Sequence, residues 1–182
     1  MKGSSTLFSN FSGGGSGGSS GSYSSSPLGG NSQPYQNEYS VYAKMMTNDI
    51  KRGVYNPAHG GYIKNPTAHN LNDDYDGEYI MGRYGQATIP YVITSRGTVI
   101  IGKRNGLGRG AEALPTPHPT LIGGHDPKVK MAGMLTIKDG KILSYDHMSG
   151  HYRPNIKSMR WADEAFAKYP KHKYFNGGNK ND

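Results

Sequence analysis

Four stretches of the chain carry hydrophobic periodicity. In EYSVYAKMMTNDIKRG (Glu38–Gly53) the apolar residues Val41, Met45, Met46 and Ile50 recur at helical spacing, and Gly53 is a natural stop. IPYVITSRGTVIIGKR holds two β-branched runs around Arg96-Gly97, which predicts a hairpin. KMAGMLTI and KILSYDHMSGHY flank Asp139-Gly140, a strong two-residue hairpin signal that pairs Ile137 with Ile142 and Ala132 with His147. A last stripe runs through RPNIKSMRWADEAFAKYP at steps of three and four: Ile156, Met159, Ala162, Phe166 and Tyr169. Pro154 stands near its first turn and Pro170 stops it. Between these elements, residues 54–80 and Asn105–Pro127 show no period and read as long ordered loops. The expected fold is α+β: an antiparallel sheet of four or more strands, built from two β-hairpins and packed with an N-terminal and a C-terminal helix.

Residues 1–34 are nearly all Ser, Gly, Asn and Pro. Such a segment cannot bury enough surface to offset its ordering entropy and reads as a disordered tail, with a delivery role open to it. Residues 35–182 then form a single domain. The net charge of +8 suits an anionic partner, RNA above all. With no Cys, disulfides, thiolate metal sites and Cys nucleophiles are excluded. No apolar run is long enough to span a membrane, and MKGSSTLFSNFSGGG has no apolar core of a Sec signal. A protein that leaves its cell with this sequence does so by another route; otherwise it is cytoplasmic.

Candidate chemistry gathers in two places. Along the final strand, Lys141, Leu143, Tyr145, His147, Ser149 and His151 share one face by simple alternation. That face turns polar toward SGHYRP (Ser149–Pro154). In PTPHPTLIGGHDPK, Pro117 and Pro119 stiffen the backbone around His118, Thr120 adds a hydroxyl, and Gly123-Gly124 permits close backbone approach. His118 and His151 suit an acid and a base at neutral pH. Tyr152 and Arg153 complete the catalytic candidates, with Thr120, Gly123, Gly124, Lys128, Ser149 and Lys103 as substrate-binding candidates. No metal centre is expected, because no His or Cys ligand spacing occurs, and NGLGRG lacks the Lys-Ser/Thr of a phosphate loop.

The intact Ser149–Pro154 block, His118, Gly123-Gly124 and Ala132-Gly133 resemble the C-terminal core of the plant IQ-motif calmodulin-binding family and a related C-terminal domain of bacterial polymorphic toxins. The resemblance covers residues 89–158. Pro119, Thr120 and Met134 stand where that pattern has Ser, Ser and Glu, and no IQ motif is present. It implies a delivered toxin or effector with a cognate immunity protein or delivery apparatus.

Three functions fit. One is a metal-independent ribonuclease using the His pair and no cofactor. The second is an ADP-ribosyltransferase consuming NAD, which wants a catalytic Glu pair; Glu38, Glu78, Glu112 and Glu164 form none. The third is a non-enzymatic binding domain in which Tyr152 is buried, Arg153 caps and Pro154 starts the helix.

Overall fold

The computed structural model describes residues 32–82, 85–107 and 114–176. The predicted tail therefore lies, up to residue 31, outside the described residues, as does Glu112. Gln33 belongs with the fold: its N–H donates to the Arg153 carbonyl at 2.7 Å, and its side chain donates to the Tyr152 carbonyl.

In chain order the elements are α1 (Ala43–Lys51), β1 (Tyr55–Asn56), β2 (Gly61–Tyr62), β3 (His69–Asn70), β4 (Gln86–Ile93), β5 (Val99–Ile101), β6 (Met131–Lys138), β7 (Lys141–Tyr145) and α2 (Met159–Phe166). Short 3-10 turns cover Leu71–Asp74, His118–Leu121 and Ile156–Ser158. The predicted α+β class is the observed one. β1 and β2 form a small hairpin, and the main sheet is five-stranded and antiparallel in the order β3-β5-β4-β6-β7. The apparent loop 54–80 thus holds three short strands. Their two-residue lengths leave no alternation to detect.

Alternation along β4 divides the core into two layers. Ile89, Tyr91 and Ile93 point to one side of the sheet, where they meet Met131, Leu135 and Ile137 of β6 and the stripe Met159, Ala162, Phe166 and Tyr169. The predicted C-terminal stripe is therefore the docked face of α2. Phe166 lies between the rings of Tyr91 and Tyr145, with centroids 5.1 and 4.6 Å away. Val92 and Ala132 point to the other side, against Tyr39, Val54, Tyr62, Leu121, Val129 and Tyr152. This second layer is built from α1, the small hairpin and the His118–Leu121 turn.

Asp139 and Gly140 have φ of 51° and 79°. Both values are positive, as a two-residue primed turn requires. Ile137 pairs with Ile142 as expected. The next pair is Thr136 with Ser144, so Leu143 is an extra residue in a β-bulge. The bulge overturns the simple alternation expected beyond it. Ile142 and Tyr145 join the same core cluster, β7 ends at Tyr145 opposite Leu135, and the expected Ala132–His147 pair does not form.

α1 also departs from expectation. It begins at Ala43 rather than Glu38, because Tyr39 is held in extended backbone by a bridge to Val129. Ile50 is 44% exposed, while Asp49 is buried. The helix turns a carboxylate, not an isoleucine, toward the interior.

Candidate active site

Asp49 is the polar residue on the inner face of α1, one turn beyond Met45 and Met46. Its Oδ2 accepts a hydrogen bond from the Tyr62 hydroxyl at 2.6 Å and lies 2.9 Å from His151 Nε2. Its Oδ1 is buried without a hydrogen-bond partner among the described residues. A buried carboxylate oxygen left unpaired is costly, so the arrangement is held by its surroundings rather than by local preference. Burial, followed by the bond to Asp49, pushes the Tyr62 hydroxyl well above its ordinary range, so Tyr62 remains a phenol and a permanent donor.

His151 is buried in the turn after β7. Its carbonyl accepts the Tyr42 N–H at 2.7 Å, which ties the turn to the start of α1. With Nε2 engaged on a carboxylate, Nδ1 is the ring atom left for chemistry.

His118 opens its 3-10 turn between Pro117 and Pro119. Thr120 closes that turn, its hydroxyl donating to the Pro117 carbonyl at 2.7 Å. The buried His118 ring places Nε2 2.8 Å from the Gly133 carbonyl. A carbonyl only accepts, so Nε2 carries the hydrogen and Nδ1 keeps the lone pair. Burial above all lowers the His118 pKa to about 4, against the opposing Gly133 carbonyl and with lesser electrostatic contributions from His151 and Arg104. His118 is thus a neutral imidazole at physiological pH. Gly133 permits this packing: a Cβ there would collide with the Asp146 carbonyl.

The remaining sequence candidates have other positions. Tyr152 is fully buried and its hydroxyl donates to the Pro127 carbonyl at 2.5 Å. Ser149 is buried, its Oγ accepting the Tyr152 N–H and its carbonyl the Arg153 N–H. Arg153 has φ of 44°, donates through Nε to the Gly150 carbonyl, and rests its guanidinium 4.1 Å from the Tyr42 ring centroid. These three contacts shape the SGHYRP turn. Gly123 and Gly124 do give close backbone approach, but to this chain's own β2: Gly124 and Tyr62 exchange backbone hydrogen bonds of 2.8 and 3.0 Å. Lys103 and Lys128 are exposed; the Lys103 N–H donates to Thr67 Oγ1, and Lys128 stands 3.8 Å from Asp126.

The structure buries both His118 and His151 and sets Asp49 and Tyr62 beside His151, while Tyr152 and Arg153 are engaged within the SGHYRP turn and its neighbours. Arg104 acts on His118 only through its charge. Asp49 had a signal in the sequence, a carboxylate at positions i+3 and i+4 from the Met pair of an amphipathic helix. Arg104, just beyond β5, had none apart from its charge. No protein-family model, no curated protein and no solved structure matches this chain.

Proposed function

We propose that this chain is a toxin-like, metal-independent ribonuclease whose acid–base pair is His118 and His151. The reading is supported by one observation: both buried rings are anchored through Nε2, on Gly133 and Asp49, which leaves Nδ1 of each ring for proton transfer. His118 Nδ1, neutral and unprotonated, takes the proton of a ribose 2′-hydroxyl. The 2′-oxygen attacks phosphorus, the bond to the 5′-oxygen breaks, and His151 Nδ1 protonates the departing oxygen. The products are a 2′,3′-cyclic phosphate and a 5′-hydroxyl. Asp49 accepts the Nε2–H of His151 and offsets the imidazolium charge that the acid role requires. Arg104, whose charge acts on His118, is the candidate cation to stabilise the pentacoordinate phosphorus. Delivery into a target cell and a cognate immunity protein follow from the same reading.

Incubating the purified protein with single-stranded RNA tests the proposal. Cyclic-phosphate ends are expected, with ~10²-fold or greater loss in His118→Ala and in His151→Ala. Substrates lacking the 2′-hydroxyl must resist cleavage. Products with 5′-phosphate ends, or a fully active, stable His151→Ala protein, sink the mechanism.

A further inference from the structure

Cations beside the SGHYRP turn and along α2 sit on aromatic rings rather than on carboxylates. The Arg153 guanidinium lies 4.1 Å from the Tyr42 ring centroid. Arg160 lies 4.6 Å from the Trp161 ring and donates to the Tyr35 hydroxyl at 2.7 Å. Lys130 lies 4.0 Å from the same Trp161 ring. Among the described residues, none of these three cations makes an ion pair. The difference matters. A carboxylate would neutralise the charge it holds, whereas a ring face positions the cation and leaves its charge and its N–H groups for another partner.

The cations are joined through the backbone. Tyr42 bonds the His151 carbonyl, and Gln33, two residues before Tyr35, bonds the Arg153 carbonyl. Tyr39 bridges to Val129, the neighbour of Lys130, and its hydroxyl shares a hydrogen bond of 2.7 Å with Ser158, three residues before Trp161. Residues 33–42 thus touch the His151–Arg153 turn at both ends, through Gln33 and Tyr42, and the start of α2 in between, through Tyr35 and Tyr39. Tyr35 is 39% exposed and Arg160 is exposed, while Trp161 and Lys130 are half-buried. The indole N–H is buried without a partner among the described residues, and Lys130 and Arg160 both lie over the Trp161 ring, so Trp161 serves to hold the two cations.

We infer that this series of ring-held cations is a binding track for single-stranded RNA, with phosphates on Arg153, Arg160 and Lys130 and a base against the exposed Tyr35. Positively charged grooves interleaved with aromatic rings are how single strands are bound without reading sequence. The inference rests on the ribonuclease reading and extends it: the substrate is a strand several nucleotides long, led past Arg153 to the histidine pair.

The test uses the full chain and a fluorescently labelled oligodeoxythymidine of about 12 nucleotides, which lacks the 2′-hydroxyl and is not consumed. Binding is followed by anisotropy across a salt series. The double variant Arg160→Ala with Lys130→Ala is expected to bind ~10-fold or more weakly, and its salt slope to fall by roughly 1.4, about 0.7 for each lost single-strand contact. The charge-reversing variant Arg160→Glu, confirmed as folded by its circular dichroism melt, gives a second reading and is expected to weaken binding further. In the same variants, cleavage of a ribodinucleotide stays unchanged while cleavage of a long strand slows. Wild-type affinity and salt slope in both variants overturn the track. So does an equal loss of dinucleotide cleavage, or tighter binding to vesicles of anionic lipid than to the oligonucleotide through the same residues. The two readings fail separately: salt-sensitive binding without RNA cleavage rejects the ribonuclease and keeps the track, and cleavage with unaltered binding does the reverse.

Discussion

Asp49 Oδ2 and His151 Nε2 are 2.9 Å apart across 102 residues of sequence. Asp49 comes from a helix and His151 from a turn, and both are buried. Replacing the carboxylate with the isosteric amide keeps the shape and removes the charge. Asp49→Asn is expected to lower RNA cleavage by ~10²-fold or more, because the His151 ring loses the acceptor that fixes its tautomer. Cleavage rates beside a thermal melt check this; full activity in a folded protein would show that His151 works without Asp49.

Acid stability follows from His118. Its pKa is about 4 in the folded chain against an ordinary 6.5. Between those values the unfolded chain takes up a proton that the folded one refuses. The contribution is therefore complete above pH ~6.5 and is lost as pH falls toward 4, by on the order of 3 kcal/mol in all. Asp146 acts oppositely: burial raises its pKa from 3.8, so the stability it contributes fades as pH rises through the window just above that value. Between about pH 6.5 and 5 a loss of stability as pH falls therefore carries the sign of His118 and not of Asp146. Urea melts across that range are expected to steepen in wild type and flatten in His118→Gln; equal slopes would place the titration elsewhere.

Phe166 has no exposed surface and fills the space between Tyr91 and Tyr145. Phe166→Ala removes a full aromatic side chain from between two rings. The expected loss is about 3–5 kcal/mol, measured by denaturant unfolding. A loss under about 1 kcal/mol would mean that α2 is not docked on the sheet.

Tyr152→Phe separates the shape of the SGHYRP turn from its chemistry. The variant leaves the Pro127 carbonyl without its hydroxyl donor. A cost of about 1–3 kcal/mol in stability is expected, with the cleavage rate per folded molecule unchanged. A rate loss without a stability loss would return Tyr152 to the catalytic set.

What the sequence makes legible here depends on period and on locality. The stripe of α2 and the Asp139-Gly140 turn are local signals backed by bulk burial, and both appear where periodicity puts them. The bulge at Leu143 has no local signature, since it arises from the pairing of β6 with β7, and it shifted every expectation placed beyond Tyr145. The histidine pair was legible by residue type. Its carboxylate had only a positional signal, its spacing from Met45 and Met46, because helix periodicity marks apolar positions and reads a carboxylate as surface. Arg153, the obvious cation, is drawn onto Tyr42 by a left-handed turn that no spacing rule announces.

Gln33 and Tyr42 reach the SGHYRP turn, and Asp49 reaches His151, over more than a hundred intervening residues. Contacts of such separation require a long loop to close before they return any stability. Under the ribonuclease reading, a chain still being synthesised or threaded through a narrow conduit holds Asp49 and lacks His151 until residue 151 has emerged. The contact between them forms late, with the docking of the N-terminal segment, and every truncation before residue 151 leaves Asp49 with Tyr62 alone and the proposed site unbuilt.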